Sequence, residues 1–86
     1  MEPERISFPA EYPIKVVARA EPDLRTQVDA TFLRHFGALA AENVTERPST
    51  NGNFVAWTYV PVVRSADQLR ALHADLTLLD GVVMVL

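Results

Sequence analysis

The sequence predicts an α+β fold of the ferredoxin-like type, a βαββαβ two-layer sandwich in which a four-stranded antiparallel sheet carries two helices on one face. Three observations lead to this prediction. The turn pair Asn51-Gly52 marks a hairpin in the middle of the chain, a helical apolar pattern lies on each side of it, and an extended apolar segment lies beyond each helix. Two right-handed crossovers then place both helices on the same side of the sheet, with the first and third strands in its middle.

The first strand and the first helix are indicated by the spacing of their apolar residues. Over residues 12–20, apolar side chains occupy alternate positions, as in a strand with one face against a core. Pro22 suits the first turn of a helix, which is predicted to run to about Ala40, with Gly37 as a candidate for an earlier cap. Five apolar residues repeat every three or four positions along this helix: Leu24, Val28, Phe32, Phe36 and Leu39.

The central hairpin is predicted to join an edge strand to a central strand. Residues 43–49 form the weaker strand, and Pro48 places it at the edge because proline has no N–H to donate to a ladder. Residues 54–63 form the strongest strand, rich in aromatic and β-branched side chains. Pro61 lies within it, so the ladder is expected to weaken near that residue or to extend past a shorter neighbour.

A second helix and a last strand complete the predicted fold. Ser65-Ala66-Asp67-Gln68 has the form of a capping box, in which serine and glutamine side chains satisfy backbone donors at the start of a helix. This helix is predicted to end at Asp80-Gly81 and to bury a leucine stripe: Leu69, Leu72, Leu76 and Leu79. Residues 82–86 then form the last strand.

The length of 86 residues allows one domain, predicted over residues 12–86 after a flexible lead-in over residues 1–11. The absence of cysteine excludes disulfides and thiol chemistry and fits a reducing compartment. The charged N-terminus lacks the apolar stretch of a secretory signal, and the longest apolar run, residues 82–86, is far too short to cross a bilayer. A cytoplasmic location without membrane association is therefore expected.

The charged residues argue against nucleic-acid binding and against catalysis. The net charge is −3 and the arginines are dispersed, whereas nucleic-acid affinity comes largely from basic residues that neutralise phosphates. His35 and His73 lie on different predicted helices, with no neighbour at metal-ligand spacing. The loop Ala20-Glu21-Pro22-Asp23 has no glycine and carries two carboxylates, so it does not suit phosphate binding of the acylphosphatase kind. No enzyme activity, metal or cofactor is predicted.

The sheet face opposite the helices is predicted to be the interaction surface, because nothing in the predicted fold covers it. Trp57 and Tyr59 are assigned to the helix side, since their large apolar area suits a small core. On the last strand Val82, Met84 and Leu86 are assigned to the helix side. These assignments leave a candidate partner surface of Val17, Phe54, Val60, Val62, Val83 and Val85. The alternative is that these are ordinary strand residues of a half-exposed sheet, and the opposite orientation of the third strand stays open.

Several segments resemble the YbeD-like family of small bacterial proteins. They are Phe8-Pro9 before Tyr12-Pro13-Ile14-Lys15-Val16, the hairpin Pro48-Ser49-Thr50-Asn51-Gly52-Asn53-Phe54, and the ending Val83-Met84-Val85-Leu86. The resemblance implies a fold similar to the ACT-type regulatory domains of metabolic enzymes, and it implies no established activity. The chain departs from the family pattern at Trp57, Tyr59 and Pro61, where smaller aliphatic residues are usual, and this bears on which way the third strand faces.

Two functions stay open at the level of sequence. The first is a non-enzymatic regulatory or adaptor domain that pairs with itself or with a partner protein through the open sheet face or the edge strand. The second is a small-molecule sensor of the ACT type, which binds an amino acid or another metabolite. The glycine that such domains generally carry after the first strand is missing here, which counts against the second function.

Overall fold

The computed structural model describes residues 9–86. Within these residues lie two α-helices, α1 Pro22–Phe36 and α2 Ala66–Thr77, and six strands: β1 Ala10–Glu11, β2 Ile14–Arg19, β3 Val44–Pro48, β4 Phe54–Tyr59, β5 Val62–Val63 and β6 Val82–Val85. A short 3₁₀ turn, Ala41–Asn43, precedes β3. Neither helix of this described part combines the length and apolar character that a bilayer crossing needs. The start of the predicted lead-in, including Phe8, lies outside the described residues.

The main sheet has the strand order β3-β4-β2-β6, and each pair of neighbours is antiparallel. This is the ferredoxin-like α+β arrangement predicted from the sequence, with the first and third of its four strands in the middle. β3 lies at the edge, as predicted from Pro48, and residues 49–53 turn the chain into β4. The Ser49 hydroxyl stabilises this turn by accepting the Phe54 N–H at 3.1 Å.

A small second sheet extends the fold beyond the predicted strands. β1 pairs with β5, and the Tyr12 N–H donates to the Pro61 carbonyl oxygen at 3.1 Å. Ala10 and Glu11 are therefore paired strand residues and not part of a flexible lead-in. The long predicted strand is divided between β4 and β5 because Pro61 has no N–H with which to continue the ladder. The predicted weakening around Pro61 is confirmed.

The first helix ends earlier than its apolar pattern predicts. α1 stops at Phe36 and not at Ala40. Gly37 takes a positive φ of 81°, and its N–H donates to the Leu33 carbonyl oxygen at 2.9 Å. Glycine reaches this backbone conformation without a steric penalty, so it acts as the early cap.

The side chain of Gln68 holds the start of α2 against the end of α1. The Ser65 hydroxyl accepts the Gln68 N–H at 3.2 Å, as the predicted capping box requires. Oε1 of Gln68 accepts the Arg64 N–H at 2.8 Å, whereas a capping box uses the N–H of the next residue, Ser65. Nε2 of Gln68 donates to the His35 carbonyl oxygen at 2.9 Å. α2 ends at Thr77, ahead of the glycine-containing turn predicted to terminate it.

The core lies between the helices and one face of the main sheet. Trp57 and Tyr59 face the helices and are 2% and 1% exposed, which confirms their predicted orientation. The Tyr59 ring stacks on Phe32 of α1 with 3.9 Å between ring centroids. Both helical stripes contribute to the same core, whose buried residues are Ile14, Val16, Ala18, Leu24, Val28, Phe32, Val55, Trp57, Tyr59, Leu72 and Leu76.

Candidate interaction surface

The side of the main sheet that faces away from the helices is left open by the described elements. Side chains alternate between the two sides along each strand, so the strand pairing determines which residues point to it. We define the open face by the outward residues of the four strands: Lys15, Val17, Arg19, Thr45, Arg47, Phe54, Ala56, Thr58, Val83 and Met84.

Large apolar side chains are exposed on the open face. Phe54, Val83 and Met84 are 42%, 56% and 48% exposed. A hollow of about 310 Å³ lies near the hairpin, and its lining includes Val17, Arg47 and Phe54. Exposed apolar area bordered by polar residues is typical of protein–protein contact surfaces.

The prediction that Val85 lies on the open face is wrong, because β6 contains a bulge. The pairs across β2 and β6 are Val16 with Val85, Val17 with Met84, and Ala18 with Val82. β6 therefore advances two residues where β2 advances one, and Val83 is the extra residue. This insertion reverses the alternation of side chains. Val82 and Val85 pack on the core, whereas Met84, predicted to face the helices, is exposed on the open face.

Val60 and Val62 lie beyond the end of β4, beside a different hollow. This hollow has a volume of about 330 Å³, and its lining also includes His35 and Gln68, where the two helices meet. Val62 is 46% exposed and Val60 is half-buried. Of the six residues of the predicted surface, the structure brings together Val17, Phe54 and Val83 on the open face.

The free edge of β3 presents three residues whose backbone groups point away from β4. Two backbone hydrogen bonds show which pairs of residues in β3 and β4 are bonded to each other. The Ser49 N–H donates to the Phe54 carbonyl oxygen and the Val60 N–H donates to the Asn43 carbonyl oxygen, both at 2.9 Å. Bonded and non-bonded pairs alternate along an antiparallel ladder. The residues that point outward are therefore Val44, Glu46 and Pro48.

The two edges of the main sheet offer little to an added strand. On β3 the Val44 N–H already donates to the Ala41 carbonyl oxygen, and Pro48 has no N–H. Glu46 supplies the single available N–H of that edge. β6 is interrupted by the bulge at Val83. Missing donors and bulges both limit strand addition, so the edges are less suited to partner binding than the open face.

A polar cluster on the helix side ties α1 to β3 and β4. Arg25 donates to Asp29 at 3.0 Å and to Glu46 at 3.1 Å, and the Trp57 indole N–H donates to Glu46 at 2.8 Å. The Tyr59 hydroxyl donates to Asp29. Burial, with the hydrogen bond to Asp29, raises the pKa of Tyr59. Burial alone would lower the pKa of Arg25, but the hydrogen bond and negative charge of Asp29 outweigh it, and that pKa is raised.

The polar cluster borders a cleft of about 340 Å³ between α1 and β3. Arg25, Asp29 and Tyr59 contribute polar atoms to its wall, and the remaining side chains are mostly apolar, among them Phe32, Leu33, Leu39 and Val44. An apolar cleft with a few convergent polar groups is the usual form of a small-ligand site.

His35 and His73, which the sequence places on different helices, belong to no cluster of potential metal ligands among the described residues. Across residues 9–86, no group of three or more potential metal ligands lies close together. His35 contacts Asp75 instead, with 2.6 Å between Nε2 and Oδ2, and Arg34 donates to the same oxygen at 3.2 Å. These hydrogen bonds, from His35 first and Arg34 second, lower the pKa of Asp75. The contacts join the two helices.

Sequence patterns did not identify Met84 or the polar cluster. Across the apolar run of residues 82–86, the regular alternation of side chains expected for a strand gives no indication of a bulge. The pairing of Glu46 with Trp57 follows from the register of β3 and β4, which the hairpin turn sets. The position of Asn51-Gly52 is therefore the signal that could have located Glu46 beside the tryptophan.

Solved structures of other proteins share the fold of this chain. The crystal structure of the ACT domain from GTP pyrophosphokinase of Chlorobium tepidum matches with a TM-score of 0.64 at 18% sequence identity, over 90% of this chain and 97% of the ACT domain. The solution structure of the C-terminal domain of the MgtC protein from Mycobacterium tuberculosis matches with a TM-score of 0.59 at 22% identity, over 95% of this chain and 89% of that domain. At these identities the likeness concerns the fold alone.

The sequence relatives of this chain identify its family. Residues 3–86 match the family described as "Protein of unknown function (DUF493)". A UPF0250 protein of Ectopseudomonas mendocina is 38% identical over 87 residues, which cover 100% of this chain and 95% of the relative. A UPF0250 protein of Neisseria gonorrhoeae is 32% identical over 81 residues, which cover 94% of this chain and 89% of the relative. The chain therefore belongs to the DUF493 family, the UPF0250 or YbeD-like proteins.

Proposed function

We propose that the protein is a small regulatory or adaptor domain that acts by binding protein through its open face. The observation that supports this proposal best is the exposure of Phe54, Val83 and Met84 on a sheet face that no described element covers. Burial of such side chains against a partner removes apolar area from water and so stabilises a complex. The ACT-like fold agrees with a regulatory role.

The open face suits this function better than either edge of the sheet. β3 has one available outward N–H and β6 is bulged, so strand addition at an edge gains few main-chain hydrogen bonds. The open face can be covered by a helix or a second sheet, which are the ordinary ways of burying the apolar face of a sheet.

The test places a carboxylate on the open face and measures protein association. Phe54→Asp and Met84→Asp are compared with the wild type by mass in solution and by the proteins that a tagged chain retains from an extract of its source cell. Both variants are expected to lose association that the wild type shows. Leu78→Asp is the matched control, because Leu78 is 81% exposed and lies at the end of α2, away from the open face. Association that survives both open-face substitutions would contradict the proposal, as would a wild type that associates with no protein.

A second candidate function, small-molecule sensing, is favoured by the cleft between α1 and β3. A thermal-shift screen with amino acids and other metabolites tests it. A ligand at a hundredfold its dissociation constant raises the free energy of unfolding by about 2.7 kcal/mol. Leu33→Lys alters the cleft at a 57% exposed position, so it should remove such a shift without unfolding the chain. No shift with any metabolite would count against this second function.

A further inference from the structure

We propose that the partner of the open face is an acidic protein surface, with carboxylates around an apolar centre, and not a second copy of this chain. The inference rests on the proposed function, because it names the partner of the same face. Its starting observation is the sign of the charge on that face.

All charged residues of the open face are basic. They are Lys15, Arg19 and Arg47, each exposed, and no outward position of the four strands carries a carboxylate. The whole chain has a net charge of −3, so its charge is distributed unevenly between this face and the rest of the molecule. Glu21 partly neutralises Arg19, with 3.6 Å between Oε2 and Nε, which leaves Lys15 and Arg47 as the main charges.

The basic residues border the apolar ones. Lys15 and Arg19 lie on either side of Val17 along β2, and Arg19 lies opposite Phe54 on β4. Arg47 lines the same hollow as Val17 and Phe54. An apolar centre with a charged rim is the common arrangement of a protein interface, and a matching partner carries the opposite charge at its own rim.

The same charges disfavour a symmetric face-to-face pair of this chain. In such a pair each residue of the patch occurs twice in one interface. Two copies of Lys15 and Arg47 would then enter it, and no strand residue of the open face supplies a carboxylate to meet them. Like charges in a partly desolvated interface repel each other, so self-pairing through this face is weakened.

An anionic phosphate surface fits the open face less well than an acidic protein. Nucleic-acid affinity grows with the number of phosphates that basic residues neutralise. The strands of the open face offer three basic residues, and these are dispersed. Its exposed centre, with Phe54 and Met84, is apolar and suits burial against protein side chains.

The experiment uses a charge-swapped copy of the chain as the acidic probe. The variant K15E/R47E keeps the apolar centre and places carboxylates around it. Sedimentation velocity compares the wild type, the variant and an equimolar mixture at the same total concentration. The mixture is expected to form a heterodimer about tenfold tighter than wild-type self-association, because two repulsive rim contacts become attractive. High salt is expected to weaken the heterodimer.

The matched control is R64E/R70E, which changes two exposed arginines outside the open face. This variant is expected to associate with the wild type no more tightly than the wild type associates with itself, because its open face is unchanged. Phe54→Asp in the charge-swapped copy is expected to abolish the heterodimer, because it places a charge in the apolar centre. Circular dichroism checks that each variant is folded. If K15E/R47E is unfolded, the single variant Arg47→Glu takes its place, with Arg70→Glu as its control.

The outcomes separate this inference from the proposed function. Self-association of the wild type as tight as that of the mixture, and lost in Phe54→Asp, would overturn the acidic partner but support protein binding through the face. Absence of the heterodimer at the highest soluble concentration would overturn the acidic partner. So would wild-type binding, lost in K15E/R47E, to single-stranded DNA or to vesicles of equal parts phosphatidylcholine and phosphatidylserine. None of these results contradicts the proposed function itself. That function is tested by the mass in solution and by the proteins retained from the source-cell extract, with the variants Phe54→Asp and Met84→Asp.

Discussion

The hydroxyl of Tyr59 donates a hydrogen bond to Asp29, and this contact joins the central strand β4 to α1. Tyr59 is 1% exposed, so the carboxylate takes the place of water as the partner of the hydroxyl. Burial, and then the hydrogen bond and charge of Asp29, raise the pKa of Tyr59. A tyrosine hydroxyl is protonated at neutral pH even at its ordinary pKa of 10.0, and the raised pKa keeps it a donor into the alkaline range.

We expect Tyr59→Phe to lower the free energy of unfolding by about 1.5 kcal/mol, because it removes a hydrogen bond to a charged group while the ring still stacks on Phe32. The loss is at the lower end for such bonds because Asp29 is 46% exposed and water can replace the hydroxyl. Denaturant unfolding followed by the fluorescence of Trp57, the one tryptophan in the sequence, measures it. The control is Tyr12→Phe, at a half-buried position outside the cluster. Equal losses in the two variants would contradict the assigned role of the hydrogen bond.

Glu46 is expected to stabilise the fold from the edge strand, because it is the acceptor for the buried indole of Trp57 at 2.8 Å. Glu46→Ala leaves that N–H unpaired and removes a partner of Arg25, so we expect a loss of about 1 to 3 kcal/mol in the free energy of unfolding. Glu46→Gln keeps an acceptor oxygen and is expected to lose less. Glu42→Ala, in the exposed 3₁₀ turn, is the control. The prediction fails if the alanine variants of Glu46 and Glu42 unfold at the same denaturant concentration.

Much of the fold could be predicted because its main signals act over a few residues. Asn51-Gly52 determines where the hairpin turns, Pro48 excludes β3 from the middle of the sheet, and Ser65 caps α2. Each of these effects depends on the backbone of the residue itself or of its near neighbours. The order of the elements follows from them without knowledge of tertiary contacts.

The orientation of β6 could not be predicted in the same way. Every residue from 82 to 86 is apolar, so no polar position marks which side faces water. The bulge at Val83 arises from the pairing of β6 with β2, which are far apart in the chain. On β6 the structure therefore places Met84 on the open face and Val85 against the core, the reverse of the predicted assignment.

The bulge predicts effects of different size for substitutions at Val83 and Val85. Val85→Asp places a carboxylate against the core, and we expect it to lower the free energy of unfolding by about 2 kcal/mol or more. Val83→Asp alters a 56% exposed position and is expected to change it by about 0.5 kcal/mol or less. Denaturant unfolding of both variants measures the difference. Equal losses would mean that β6 alternates without a bulge, because both valines would then face the same side. A larger loss for Val83→Asp would contradict the sides assigned to the two residues.

The contact between His35 on α1 and Asp75 on α2 is expected to be sensitive to acid. Their side chains approach to 2.6 Å, and Arg34 donates to the same carboxylate oxygen at 3.2 Å. The hydrogen bonds from His35 and then from Arg34 lower the pKa of Asp75 below its ordinary value of 3.8. As the pH falls, the unfolded chain binds this proton before the folded chain does. The stabilisation is therefore present above pH 3.8 and is lost as the pH falls through the lower pKa of the folded state.

We expect the thermal midpoint of the wild type to fall more steeply than that of Asp75→Asn between about pH 4 and pH 2. The variant has no carboxylate at this position, so this part of the pH dependence is missing from it. Melting curves by circular dichroism at constant ionic strength measure the two slopes. Asp80→Asn, at an exposed position after α2, is expected to keep the wild-type slope. The same slope in wild type and Asp75→Asn would show that the lowered pKa does not contribute to stability. A difference that shrinks at high salt would identify its source as the charges of the paired side chains.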